Sequence, residues 1–240
     1  MSVLVVGATG ATGRLLVREL LGRGLNVRVI VRAPGSLPED VRNHPHLSVV
    51  NASVLGLSDA EMARHVDGCV AVASCLGHTL TLKGIFGPPR RLVTDAARRL
   101  CEAVLANEAE RPVRFVLMNT VANRNRDLDE SASFAQKCVI GLLRLVLPPQ
   151  ADNEKAAEYL RTGIGRENGA IEWVAVRPDS LTSEDRVTAY DLYPSPVRDP
   201  VFNPGKTSRI NVAHFMTELI TDDEMWNRWK GQMPVIYNKS

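Results

Sequence analysis

Cysteine, net charge and long apolar runs are all scarce in this sequence, and each shortage removes a class of protein. The four cysteines (Cys69, Cys75, Cys101 and Cys138) stand too far apart for a metal knuckle or a C-x-x-C redox pair. His44 and His46 flank Pro45 in a loop, with no partner ligands nearby in the chain. These gaps speak for a reducing compartment and against a structural metal. A net charge of +2 argues against a dedicated nucleic-acid binder. The longest strongly apolar stretch, residues 139–147, is interrupted by Arg144 and stopped by Pro148-Pro149. It falls well short of the ~20 residues that a membrane span requires. The first strand begins at Ser2 or Val3, which leaves no room for a secretory leader. The expectation is a soluble, cytoplasmic protein, monomer or homodimer, with neither membrane nor nucleic acid as partner.

In bulk the chain is ordinary: 240 residues, 45% hydrophobic and 23% charged, enough for a single α/β domain over 1–240 around one large core. Its first thirteen residues carry the signal. Residues 3–6 are continuously apolar and bounded by glycine, the mark of a buried parallel strand. Gly7-Ala8-Thr9-Gly10-Ala11-Thr12-Gly13 follows at once, and a helical pattern opens at Arg14. Glycines at 7, 10 and 13 permit a tight strand-to-helix turn and leave no side chain where a pyrophosphate must approach. First-turn amides and the positive end of the helix dipole then face that anion. The spacing is G-x-x-G-x-x-G, and its context of strand before and helix after makes it a dinucleotide signal.

The rest of the chain alternates strand and helix. Leu15, Leu16 and Leu20 give a helix an apolar stripe, closed by Gly22-Arg23-Gly24. Residues 27–31 form a second strand ending at Arg32, followed by a short helix after Pro34, Gly35 and Pro38. Residues 47–50 form a third, Ser58 caps a helix over 59–65, and 69–73 form a fourth that opens into Cys75-Leu76-Gly77. A long loop is expected over 78–90, then a helix marked by Leu92, Ala96, Leu100 and Val104. Residues 113–118 are a fifth strand and 171–176 a sixth. Between them lie a charged loop over 123–130, a helix with Phe134, Cys138, Leu142 and Leu145 on its apolar face, and a second helix from Asp152 to about Arg161. The wide apolar face of 134–147 suits packing on the core, a dimer face or a lid. Residues 181–205 lack periodicity, Val212, Phe215, Met216 and Leu219 mark a last helix, and 233–237 return as a strand. This pattern specifies a doubly wound parallel sheet, Rossmann-like, with a small irregular C-terminal cap over 181–240 on the substrate side.

In such sheets ligands bind beyond the carboxyl ends of the strands. That rim holds Gly7 to Gly13, Arg32, Ser53-Val54, Ser74 to Gly77, Asn119-Thr120 and Arg177-Pro178-Asp179-Ser180. Arg32 stands 19 residues after Gly13, where an NAD enzyme keeps an acid for the ribose hydroxyls; no acid follows until Glu39. A guanidinium suits a 2′-phosphate, so NADP is the expected cofactor, with Arg14 assisting from the helix start. Residues 1–35 set five arginines, at 14, 18, 23, 28 and 32, against the single acid Glu19.

Gly7-Ala8-Thr9-Gly10 with Gly13-Arg14, Val31-Arg32, Trp173-Val174-Ala175-Val176-Arg177-Pro178 and Arg209-Ile210-Asn211-Val212-Ala213 together resemble the atypical short-chain dehydrogenase/reductases. That NAD(P)H-binding, NmrA-like group includes the flavin and biliverdin-IXβ reductase type. The resemblance covers most of the chain and implies an NADP-binding fold without naming a substrate. It also exposes a gap. Active members commonly use Tyr-x-x-x-Lys, in which lysine lowers the phenol pKa. Here Tyr159 is followed four residues on by Gly163, Tyr190 by Pro194 and Tyr193 by Val197. Counting back from Glu158-Tyr159-Leu160, the dyad positions fall near Gln150 and Glu154, and neither can do that job. Thr120 falls where the family often has a serine beside the nicotinamide; it is placed to hydrogen-bond a substrate carbonyl or to be satisfied by backbone. Asp152 is an adequate cap for its helix, and Lys155 orients the nicotinamide ribose or is solvated. The implied activity is hydride transfer from NADPH to a small conjugated or aromatic acceptor, quinone- or flavin-like; the alternative is a non-catalytic NADP(H) sensor.

Overall fold

The apolar runs become strands and stack in register. The computed structural model describes residues 1–79, 81–128, 130, 141 and 147–239, with Lys83 by its backbone only. In chain order the elements are β1 (Ser2–Val6), α1 (Gly13–Gly22), β2 (Asn26–Val31), α2 (Glu39–Arg42), β3 (Leu47–Asn51), α3 (Asp59–Val66), β4 (Cys69–Ser74), α4 (Leu82–Phe86), α5 (Leu92–Ala106) and β5 (Val113–Met118). Then come α6 (Pro148–Glu158), β6 (Ile171–Pro178), β7 (Ser180–Thr182), β8 (Tyr190–Tyr193), β9 (Lys206–Ser208), α7 (Arg209–Thr221), α8 (Asp223–Trp229) and β10 (Val235–Asn238). Eight strands form one sheet in the order β3-β2-β1-β4-β5-β6-β10-β8, and β7 pairs with β9 in a small separate ribbon. Val5 lies between Val29 and Ala73, so β1 runs parallel to both neighbours. The antiparallel exception is β8, paired with β10 at the sheet edge. The strand order reverses between β1 and β4, and that switch point lies under the glycine turn.

Both faces of the sheet are covered, which is why its strands read as unbroken apolar runs. Leu16, Val17 and Leu20 of α1 join Phe215, Met216 and Leu219 of α7 and Trp226 of α8 on one face. Met62 of α3, Ala96 and Leu100 of α5, Ala156 near the end of α6 and Leu160 just after it fill the other. Ser58 accepts from the Glu61 amide while Glu61 accepts from the Ser58 amide, the reciprocal cap that starts α3.

Four expectations change. The 78–90 segment carries the short helix α4. The 123–130 loop, expected only as charged, buries Asn123, Asn125 and Glu130. The helix expected at Asp152 already begins at Pro148, and the tail contains an additional helix, α8. The helix expected over 134–147 lies outside the described residues apart from 141 and 147. Among the described residues no helix is long and apolar enough to cross a membrane, and no cluster of His, Cys, Asp or Glu could hold a metal ion.

Candidate dinucleotide-binding site

The three glycines of the first turn do different work. Gly7 has φ +76°, and a Cβ there would lie 2.5 Å from the carbonyl carbon and oxygen of Cys75. A Cβ on Gly13 would lie 2.1 Å from the Gly7 oxygen. Both glycines are therefore demanded by the fold itself: Gly7 lets the turn lie against the segment leaving β4, and Gly13 lets α1 start beneath the turn. Gly10 differs. It is exposed, and a Cβ there would meet only the Gly7 oxygen, at 3.2 Å. The packing around it does not demand a glycine as strictly as at 7 and 13.

The start of α1 fits an anion. Thr12 at the N-cap makes no side-chain hydrogen bond to the helix, and the first turn contains no acid. Among the described residues the amides of Ala11, Thr12 and Gly13 find no acceptor. These donors, with the dipole behind them, form a cradle suited to an anion. Thr9 and Ala11 are exposed beside it, whereas Thr12 is buried.

Of the five arginines near the amino terminus, three are occupied. Arg18 makes two hydrogen bonds of 2.9 Å to Asp40. Arg23 binds Thr221 and Glu218, and Arg28 binds the His65 carbonyl. Arg14 and Arg32, the two beside the glycine turn and at the end of β2, are exposed and pair with no described residue. Ser53 is exposed after β3, and neighbouring Val54 is buried with its carbonyl accepting from Arg99 at 3.0 Å. That arginine also reaches the Leu57 carbonyl and Asp59, so the loop after β3 is pinned from α5.

Along the rim, the Cys75 amide donates to the Val6 carbonyl at 2.9 Å. The Cys75 side chain turns inward, its Sγ 4.0 Å from Met216 Sδ, and burial pushes the thiol up to about 12. Cys75, Leu76 and Gly77 thus offer a ligand mainly backbone. Asn119 is buried; its Oδ1 accepts from the Thr120 amide at 2.8 Å and from Asn123, and its Nδ2 donates to the Asn153 carbonyl at 3.0 Å. Thr120 is half-buried, and its hydroxyl accepts a long 3.4 Å bond from the Ala122 amide. Gln150, at the place of the missing tyrosine, donates to Asn123 at 2.9 Å and to Glu154 at 3.1 Å. Lys155 is exposed on the next turn. Tyr159, Tyr190 and Tyr237 are all pushed up to about 12 by burial, so each is a poorer acid than a free phenol.

Two rim residues are not available to a ligand. Arg177 is fully buried and paired with buried Glu130 at 2.7 Å. Its remaining donors reach the carbonyls of Met233, Asn123 and Pro194. Pro178 is buried too, its carbonyl taking the Val121 amide at 3.0 Å. Both are consumed in joining β6 to β10 and to the loop after β5. Asp152 is also corrected: it does not cap its own helix but accepts the Val93 and Thr94 amides at the start of α5.

A cavity of about 610 Å³ opens beside α6, lined by Asn123, Arg124, Glu154, Lys155 and Met233 among others. That is within the range of small-molecule sites. A larger one, about 840 Å³, lies at the opposite end of the sheet around Met1, Val70 and Arg114, away from the glycine turn.

The fold recurs in many solved structures. The oxidoreductase ylbE from Lactococcus lactis superposes with a TM-score of 0.70 at 19% identity, covering 100% of this chain and 92% of that one. A wide-type short-chain dehydrogenase/reductase from Veillonella parvula DSM 2008, solved in complex with NADP, gives 0.71 at 13% identity over 100% and 95%. A Streptococcus pneumoniae TIGR4 protein with the provisional name NADH-flavin reductase gives 0.67 at 16% identity over 100% of both chains. At these identities the likeness is one of fold. No curated protein sequence matches. The sequence does match one family profile, over residues 7–223, from the glycine turn to the start of α8: the chain belongs to the NAD(P)H-binding family.

Proposed function

We propose that this protein is an NADPH-dependent reductase of small acceptors that spread negative charge over a ring, such as quinones and flavins. The observation that carries the reading is the pair Arg14 and Arg32, unpaired at the glycine turn while Arg18, Arg23 and Arg28 are tied down. A 2′-phosphate gives both guanidiniums a partner that NAD lacks. When bound, NADPH supplies a hydride. The chain's own part is to hold the pyrophosphate on the amides of 11–13 and the phosphate on Arg32, and to lay the other end across Cys75 to Gly77 toward Thr120.

The acceptor class follows from what stands at the dyad positions. Gln150 donates to Asn123 and to Glu154, which accepts as a carboxylate, and an amide has no proton to give up at neutral pH. General acid catalysis is worth about a hundredfold to ten-thousandfold, and a ketone reduced without it forgoes that factor. A quinone or flavin takes its proton from water and loses little. Thr120, half-buried at the rim beside Asn119, offers such a ring one hydrogen bond.

The test is an absorbance assay of NADPH loss across quinones, flavins, aldehydes, ketones and sugar nucleotides, with the Gly10→Val protein as blank. Oxidation is expected with the quinone and flavin group alone, slowed modestly by Thr120→Ala. Brisk ketone reduction would reveal an acid elsewhere; no rate above the blank would leave a redox-sensing NADP(H) binder in its place.

A further inference from the structure

The carboxylate of Asp152 links three elements. It lies one turn inside α6, is 2% exposed, and receives the Val93 amide at 2.8 Å, the Thr94 amide at 3.0 Å and the Thr94 hydroxyl at 2.6 Å. It thereby serves as N-cap for α5, whose own N-cap residue, Arg91, makes no capping bond. Its Oδ2 also receives Nε2 of His78 at 2.8 Å, and the two side chains are 1% and 4% exposed. The other ring nitrogen of His78, Nδ1, is 3.2 Å from the Gly84 carbonyl. A carboxylate oxygen and a carbonyl oxygen can only accept, so each imidazole nitrogen faces a group that requires a donor.

His78 ends the segment that leaves β4. That segment lies against the glycine turn, because any Cβ on Gly7 would meet Cys75 and Leu76 backbone. One residue beyond Asp152, the Asn153 carbonyl holds Asn119, and Asn119 holds the Thr120 amide. A single stretch of α6 therefore fastens both rim segments, the one after β4 and the one after β5. On the NADPH reading these two segments would hold the nicotinamide half of the dinucleotide. Arg32 and the 53–54 loop, which Arg99 holds independently, would hold the adenosine half.

We propose that His78, acting through Asp152, is a positioning residue for the nicotinamide half of the cofactor. It fixes residues 75–78 against Asn119 and Thr120, and so sets the distance and face at which the ring meets the acceptor. This rests on the NADPH reading above. Nothing in the local sequence signals it, since His78 and Asp152 meet only when α6 packs beside α5.

Two conservative variants separate the bonds. His78→Gln keeps a donor where Nε2 stood and so retains the contact with Asp152. His78→Asn keeps one where Nδ1 stood, toward Gly84, and withdraws the one toward Asp152. Three readouts are needed: calorimetry with adenosine 2′,5′-bisphosphate, anisotropy of the bound NADPH nicotinamide fluorescence, and stopped-flow hydride transfer to menadione. The Asn variant should bind the bisphosphate within about twofold of wild type, show lower nicotinamide anisotropy, and transfer hydride about tenfold or more slowly, as misplacement of a reacting centre predicts. The Gln variant should recover most of the anisotropy and rate. Wild-type behaviour of the Asn variant would overturn the proposal. So would equal losses of bisphosphate and NADPH affinity, which mark general damage, or a Gln variant no better than Asn. If wild type transfers no hydride to any acceptor the reductase reading fails, and the anisotropy contrast alone still decides the role of His78.

Discussion

Adding one methyl group at each glycine of the first turn should separate folding from binding. At Gly13 the new Cβ would stand 2.1 Å from the Gly7 oxygen, 2.9 Å from the Gly7 carbon and 3.1 Å from Ala8 Cα. All three are backbone atoms at the junction of β1 and α1, so relief requires moving one of those elements. Overpacking of this kind costs about 1–3 kcal/mol, and more where nothing yields. At Gly7 the methyl would lie 2.5 Å from Cys75 backbone on a residue with φ +76°. The left-handed conformation adds about 1–2 kcal/mol before any overlap is counted. Domains of this kind have about 5–15 kcal/mol in total, so Gly7→Ala and Gly13→Ala should each remove a large share. At Gly10 the single contact is 3.2 Å from one oxygen, and the stability change should stay within about 0.5 kcal/mol.

Binding should rank differently. A methyl at Gly10 intrudes on the cradle of the 11–13 amides, so Gly10→Ala should weaken NADPH by about tenfold, equivalent to 1.4 kcal/mol. Gly10→Val should abolish binding of either nucleotide with the fold intact. Urea unfolding followed by the buried Trp173, Trp226 and Trp229 reports stability, and NADPH fluorescence reports binding. Retained NADPH affinity in Gly10→Val would mean that the turn is only structural. A Gly10→Ala protein as destabilised as Gly13→Ala would refute the division of roles.

The remaining predictions concern Arg32 and Asp152. NADPH should bind about tenfold more tightly than NADH, from charge-assisted bonds worth about 1.5–3 kcal/mol, and Arg32→Asp should invert the order; equal wild-type affinities by calorimetry would remove Arg32 from the site. Asp152→Ala leaves two α5 amides, the Thr94 hydroxyl and His78 without their acceptor in a buried place. Loss of one partner of a buried pair typically costs about 3–5 kcal/mol, readable as a lowered urea midpoint, and a loss under about 1 kcal/mol would show that the cap is dispensable.

How much was legible follows from how local each signal is. The strand at 2–6, the glycine turn and the helix from 13 are adjacent in sequence, and their order alone implies the nucleotide cradle. The position of Arg32 is legible for the same reason, at a fixed spacing beyond Gly13. Its availability is not, because it depends on where distant acids fall. Asp40 and Glu218 claim Arg18 and Arg23 and leave Arg14 and Arg32 free. Asp152 misled in the opposite sense. Near a helix start, a local reading makes an aspartate that helix's own cap, whereas packing turned it onto the start of α5. Arg177 was placed on the rim by its position at the end of a strand. Residues 232–234 then return beside β6, with Gln232 bridging to Val174, and bury it.

The least legible part is also the one on which the proposed chemistry rests. Asn119, Asn123 and Gln150 come from the end of β5, the loop after it and the first turn of α6, and sequence spacing relates none of them. Only the packed fold shows them joined from the Asn153 carbonyl to Glu154. An amide both donates and accepts, so a chain of amides can satisfy its members at a buried or half-buried site without any group titrating. A Tyr/Lys dyad in the same place is held in shape by a charge and can release a proton. The amide chain keeps the shape but has no proton to release, which supports the proposal that the acceptors carry the incoming negative charge themselves.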